Sequence, residues 1–292
     1  MKLRTLVAAS IALALAGAAC ADQPSDGSNA GDGGSPSGIE HPAGADQLVL
    51  RISTEGGFVA PEVTLTSLPS FSLFGDGTAI TPGAQIEIYP QPALPPLVAT
   101  PITEDGVQAI LEEALAAGLA NDAEYTDFGS VGIADAATTV FTLSVEGETH
   151  TTRVYALSEL TERPPMMRPA EFEARQKLQA FVERIGDLRS WLPAGAVGGD
   201  GTFEPVALRV FVGDYVPQPD LEEPPIDWPL AAPLASLGDP VGQDLRCATV
   251  TGDDAGTLLQ AAERANQLTP WISDGARFRI AFRPLLPDES GC

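Results

Sequence analysis

"TTVFTLSVEGETHTTRVYAL", residues 138–157, is the stretch that decides the fold class. Two runs rich in Thr, Val and aromatic residues flank Glu146-Gly147-Glu148, the pattern of an antiparallel hairpin. Similar signals lie on both sides of it. "DQLVLRISTEGG" (46–57) alternates at Leu48, Leu50 and Ile52 and stops at two glycines. In "EVTLTSLPSFSLFGDGTAI" (62–80) the Gly75-Asp76-Gly77 turn separates two strand-like runs. "AQIEIYP" (84–90), "VALRVFVGDY" (206–215), "DLRCATV" (244–250) and "ARFRIAFRPLL" (276–286) also read as strands.

Three segments carry helical spacing instead. "TEDGVQAILEEALAAGL" (103–119) places Val107, Ile110, Leu111, Ala114 and Leu115 on one face, with Thr103 or Asp105 as cap and Gly118 as stop. Pro169 opens a second helix with a stripe of Phe172, Leu178, Phe181, Val182, Ile185, Leu188 and Leu192. "TGDDAGTLLQAAERANQL" (251–268) turns Leu258, Leu259, Ala262 and Ala265 inward. The expected fold is therefore α+β, a mostly antiparallel sheet with three main helices. A break at "RPPM" (163–166) suggests two similar halves, 46–165 and 166–292. Sliding the first helix by 148 residues puts Thr103 on Thr251 and Leu111 on Leu259, an echo that fits a duplication or merely two capped helices.

The 292 residues carry 16 Lys+Arg against 40 Asp+Glu, a net charge of −24. Such a surface repels phosphate backbones and anionic headgroups, so neither nucleic acid nor a basic-patch membrane contact is expected.

At the N-terminus, Lys2 and Arg4 precede an apolar run, Leu6 to Ala19, of 14 residues. That run is too short to span a bilayer, which needs about 20, and suits a signal peptide over residues 1–19. Gly17, Ala18 and Ala19 then lead into Cys20. This junction resembles the lipobox of bacterial lipoproteins, with Gly17 where that pattern more often has leucine. The resemblance implies cleavage before Cys20 and acylation of its sulfur; an ordinary secretory signal cut near Ala19 is the alternative. Residues 20–45 hold little to bury and read as a lipid-anchored, disordered linker about 25–30 Å from end to end. "GDGG" (31–34) lies inside it without the strand and helix a phosphate loop needs.

Three cysteines occur, Cys20, Cys247 and Cys292. With Cys20 acylated outside the cytoplasm, an even pair remains, and a Cys247–Cys292 disulfide is expected; two free thiols are the rival reading.

Catalytic motifs are absent from the sequence. There is no G-x-S-x-G, H-E-x-x-H, C-x-x-C, P-loop or calcium loop, and His41 and His150 are the only histidines. Lys177 would be the sole lysine nucleophile in the folded part. Carboxylate pairs of the kind glycosidases use could come from Asp253-Asp254, from Glu222-Glu223 with Asp227, or from Glu112-Glu113. Each also fits a plain role at a helix end, in a solvated loop or on a solvated helix face. No catalytic residue, cofactor or metal ligand is assigned. A possible ligand surface is Tyr215, Asp227, Trp228 and Trp271, aromatics on proline-rich loops beside carboxylates. The alternative is that both indoles plug the core.

Strings such as "LVLRISTEGGF" (48–58), "GDLRSWLPAG" (186–195), "ALRVFVG" (207–213) and "FRPLLPDESGC" (282–292) together resemble a family of uncharacterised bacterial secreted lipoproteins. The resemblance spans most of 46–292. It implies envelope localisation and a final cysteine that belongs to the fold, and carries no activity with it. The expected protein is a cell-envelope lipoprotein, lipid-anchored on the extracytoplasmic side of the membrane. It would act as a non-catalytic binding or scaffolding module for an envelope protein or small ligand. A cell-wall glycan hydrolase using paired carboxylates and a transporter accessory binding protein are the alternatives.

Overall fold

A computed structural model describes residues 38–126, 133 and 135–292. The leader, Cys20 and the linker up to residue 37 lie outside the described residues. Along the chain the first elements are β1 (Leu48–Gly56), α1 (Pro61–Thr66), β2 (Phe71–Phe74), β3 (Thr78–Pro82), β4 (Leu97–Pro101), α2 (Glu104–Ala117) and β5 (Ala123–Tyr125). The hairpin β6 (Ala137–Val145) and β7 (Glu148–Tyr155) follows, then α3 (Pro169–Ile185) and β8 (Gly201–Thr202). The remainder supplies β9 (Ala207–Asp214), β10 (Ile226–Asp227), β11 (Asp239–Gly242), β12 (Leu245–Thr251), α4 (Gly252–Ala262), β13 (Trp271–Ser273) and β14 (Ala276–Pro284).

The fold is α+β and mostly sheet. An eight-stranded sheet runs β5-β7-β6-β1-β2-β3-β4-β8 and a six-stranded sheet runs β10-β13-β14-β9-β12-β11. All neighbours are antiparallel except β5/β7 and β10/β13. The 138–157 hairpin is present, with Val140 opposite Arg153 and Leu143 opposite His150. In each sheet a strand early in the sequence lies inside and is flanked on both sides: β1 by β2 and β6, β9 by β12 and β14.

Helices α2 and α3 cover the larger sheet. The α2 side chains Val107, Ile110, Leu111 and Ala114 join Leu178, Phe181 and Ile185 of α3 over Leu50, Phe141 and Leu143. Each large apolar side chain buried this way stabilises by about 1.5–3 kcal/mol. The expected cap is made: Thr103 Oγ1 accepts from the Gly106 N–H at 3.4 Å, and Gly118 ends the helix at φ +97°. Arg175, inward on α3, is only 3% exposed and donates to the Tyr155 and Tyr125 carbonyls. Helix α4 covers the smaller sheet, with Leu258 and Ala262 against Leu208, Val210, Trp271 and Phe282.

Several expectations change. The division near residue 165 falls inside the first layer, because α3 packs on the larger sheet and β8 adds to that sheet's edge through β4. Residues 84–90 form a loop, not a strand: no strand among the described residues pairs with them, and Pro90 lacks the N–H a ladder needs. Residues 61–66 wind into a short helix, with the Thr66 hydroxyl donating to the Glu62 carbonyl at 2.8 Å. The strand orders of the two sheets also differ. The strand leading into α4 lies beside β9, whereas the strand leading into α2 lies three places from β1.

Residues 39–41, expected to belong to a disordered linker, are instead hydrogen-bonded to α2. The Gln108 amide accepts from the Ile39 N–H at 2.7 Å and donates to the Ile39 carbonyl at 3.0 Å, while the His41 ring meets Glu104 at 3.1 Å. Burial pushes the Glu104 carboxyl up, but hydrogen bonds from Gln108 and His41 and the His41 charge outweigh it and leave it below its ordinary range.

The tail after β14 crosses to the larger sheet. Leu286 is buried with Phe74, Ile80 and Leu97. Arg51 of β1 grips Asp288 at 2.7 and 3.0 Å, and Arg283 grips Glu289 at 2.7 and 2.8 Å. A Cys247–Cys292 disulfide closes the tail onto β12. Burial alone would raise the Glu289 carboxyl; the Arg283 hydrogen bonds, the Leu286 N–H and the charges of Arg283 and Arg51 lower it.

Candidate functional site

A groove lined by residues of both sheet layers lies between α1, the loop 83–96 and β14. Three segments far apart in sequence build it: α1 with the turn after it, the loop 83–96, and β14. Strand alternation explains the placement of β14. Ile280 and Phe282 point into the core of the smaller sheet, while Arg279 and Arg283 reach toward α1. Arg279 pairs with Glu62 across the gap, and Arg283 donates to the Ser67 carbonyl at 2.9 Å. Opposite Arg279 on β9 stands Gly213, where a Cβ would lie 3.2 Å from the guanidinium and 2.8 Å from the Leu245 side chain. Glycine there leaves the guanidinium room to turn outward.

The loop is a compact excursion with a closed neck, an arrangement often found at functional surfaces. The Gly83 N–H donates to the Pro96 carbonyl at 2.8 Å. Inside it, Gln91 Nε2 donates to the Ile86 carbonyl at 2.9 Å and the Ile88 carbonyl at 2.6 Å. Its far side is tied to the end of α4 by Ala93 N–H to Ala265 O and by Gln267 N–H to Gln91 O. Held this way, the loop leaves Ile86, Ile88 and Tyr89 exposed, and Val63 of α1 is exposed as well.

The groove, open on one side, has a volume of about 780 Å³, within the usual range for small-molecule sites. Its walls are mainly apolar, from Val63, Leu68, Ile86, Tyr89, Leu94 and Ala281, with polar groups at a few points: Gln85, Gln91, Gln218, Gln267 and the Glu62–Arg279 pair. Neither histidine lines it. His41 is engaged with Glu104, and His150 lies 3.9 Å from Glu148 on β7. No group of three or more His, Cys, Asp or Glu side chains among the described residues could hold a metal ion.

The four aromatic and acidic residues singled out in the sequence do not form one surface. Trp271 is fully buried, and Trp228 is 8% exposed. The indoles meet edge to face at 6.0 Å, and Trp271 packs likewise on Phe282 at 5.5 Å. Trp228 donates to the Ala232 carbonyl at 2.8 Å, whereas Trp271 Nε1–H finds no acceptor among the described residues. The rings are spent inside the smaller sheet's core because the preceding β10 pairs with β13, directing Trp228 inward beside Trp271. Asp227, one residue earlier, points the other way into a shallow depression with Glu223 and Arg264. Tyr215 stands apart, with the Arg277 guanidinium 6.0 Å from its ring centre.

Of the candidate carboxylate sets, only Glu223 and Asp227 share a depression, with Arg264 beside them, and none of the three sets lines the groove. Asp253 and Asp254 are exposed at the start of α4, and Glu113 pairs with Arg184 at 2.8 Å. Lys177 is exposed on α3. The groove itself was missed in the sequence. Its one legible signal was the pair of isoleucines in "AQIEIYP" between prolines, apolar residues with no strand to bury them. No helix among the described residues is long and apolar enough to cross a membrane. No protein-family model, curated protein or solved structure matches the chain.

Proposed function

We propose that the chain is a non-catalytic binding module of the cell envelope, tethered by an acylated Cys20, that takes a small and largely apolar ligand in the groove between α1, the 83–96 loop and β14. The observation that carries this reading is the groove's make-up. A volume of about 780 Å³ is walled by aliphatic and aromatic side chains and carries only scattered amides and one ion pair. Such walls gain from desolvating an apolar body, by about 25 cal/mol for each Å² covered. The loop that closes the groove is pre-formed by its own hydrogen bonds, so binding requires little ordering. Tethering through Cys20 rests on the lipobox-like junction alone.

The test is a fluorescence titration with N-phenyl-1-naphthylamine, a neutral apolar probe. Saturable enhancement is expected for the native protein and loss of it for Ala84→Trp. Ala84 is exposed on the groove wall, so the indole fills the site without touching the core. Equal enhancement in both proteins would defeat the reading. Mass spectrometry of the protein from its native membrane checks the anchor: acylated Cys20 as first residue is expected, and an unmodified sulfur there refutes it.

A further inference from the structure

We propose that the groove's ligand is an anionic amphiphile, an apolar tail ending in a carboxylate or phosphate, whose head docks on Arg279 with Arg277 beside it. The inference rests on the reading of the groove as a ligand site and adds the head group. Alternation along β14 puts Arg277, Arg279 and Ala281 on one face, and Arg279 and Ala281 line the groove. The Arg279 side chain is 39% exposed, so a molecule in the groove can reach it. Its Nη1 donates to Glu62, whereas the Nε and Nη2 hydrogens have no acceptor among the described residues. Nε and Nη2 form the edge of a guanidinium that holds a carboxylate or phosphate by two parallel hydrogen bonds. A Cβ at position 213 would stand 3.2 Å from Nη2 and 3.7 Å from Nε, so glycine there keeps side-chain atoms off that edge.

Arg277 supplies a second positive charge. It lies two residues away on the same face, about 7 Å from Arg279 by strand rise. It is exposed, and its guanidinium makes no ion pair or hydrogen bond among the described residues. Its ring partner is Tyr215, and Gln218, shortly after Tyr215 in the chain, is in the groove wall. Glu62 is the one carboxylate among the described lining residues, so two guanidinium groups stand against a single resident acid. An alcohol head would leave the charge of these groups unused, and an ammonium head would be repelled by both.

The experiment uses the native protein loaded with N-phenyl-1-naphthylamine at about pH 8 and low salt. Decanoate, decyl phosphate, 1-decanol and decylammonium, with tails of equal length, compete for the probe below their micellar concentrations. At least one anion is expected to bind about fivefold or more tightly than the alcohol, the gain of charge-assisted hydrogen bonds at a half-exposed site. In Arg279→Gln that preference should vanish while the alcohol's affinity stays within about twofold, since only the head has lost its partner. Decanoate ahead of decyl phosphate assigns a fatty-acid head, and the reverse order a phosphate head. An alcohol equal to both anions, an ammonium that binds tightest, or an anion preference that survives in Arg279→Gln overturns the head-group proposal and leaves the groove reading standing. Failure of all four compounds to displace the probe, or probe binding that survives in Ala84→Trp, takes down the groove and the proposal together.

Discussion

Removing the Cys247–Cys292 cross-link should lower stability by about 4 kcal/mol. The bond joins positions 45 residues apart. In the chain-entropy model a loop of about 45 residues loses roughly 13 cal/mol/K when closed, which is about 4 kcal/mol at 25 °C. The native state should change little. The tail remains docked through Arg51–Asp288, Arg283–Glu289 and buried Leu286 after the sulfurs are gone. Cys247 is only 3% exposed, so alanine there also leaves a small void, worth about 1 kcal/mol or less. The assay is urea unfolding of the native protein against the double variant Cys247→Ala/Cys292→Ala, followed by far-UV circular dichroism. For the compact unit Gly38–Cys292, a loss of about 4 kcal/mol corresponds to a drop in Tm of about 8 °C or more. The denaturant slope should rise, because the uncross-linked denatured chain is more expanded. A loss under about 1 kcal/mol with an unchanged slope would refute the argument that the bond acts by restricting the unfolded chain.

The other predictions concern charge, backbone and core. Glu289→Ala should cost about 3–5 kcal/mol, since it strands the Arg283 guanidinium, whose side chain is 7% exposed, without its carboxylate; denaturant midpoints measure it. Both Glu289 and Glu104 titrate below their ordinary range when folded, so the unfolded chain binds more protons in moderate acid. Their contribution is fully present above the unfolded value of about 4.3 and is lost as pH falls through the lowered folded values; Glu289→Gln should flatten the acid limb of stability against pH. Gly77→Ala should destabilise by at least about 2 kcal/mol, because φ is +82° and a Cβ would stand 2.2 Å from the Ile102 carbonyl oxygen; thermal unfolding checks it. Glu62→Ala, which breaks a half-exposed ion pair at the groove, should change stability by no more than about 1 kcal/mol in the same assay.

Local pattern carried much of the fold into view. The 138–157 hairpin, the cap at Thr103, the stop at Gly118 and the Cys247–Cys292 pairing follow from turn chemistry, side-chain hydrogen bonding and the even pair of cysteines left beyond Cys20. Alternation misled at two places for opposite reasons. In 62–66 it hides one turn of helix too short to show a 3.6-residue period, and in 84–90 it belongs to a proline-bounded loop whose isoleucines stay exposed. Sheet order was not legible, because it depends on which distant strands meet: Arg51 lies across from Thr142, and Arg283 from Arg209. The groove was hidden for the same reason. Its walls come from residues 60–68, 82–96 and 279–282, which no local window joins. Trp228 and Trp271 looked like recognition residues because their loops are rich in proline; the partnering of β10 with β13 turns them inward.

The inside position of β9 has a consequence for biogenesis. A chain synthesised N-terminus first delivers Ala207–Asp214 well before Leu245–Thr251 and Ala276–Pro284, the strands that sheathe it. For that interval an apolar ribbon with two naked hydrogen-bonding edges waits in solution, open to the same ribbon on a neighbouring nascent molecule. Refolding yield should therefore fall steeply with concentration, and exchanged dimers should be its by-product.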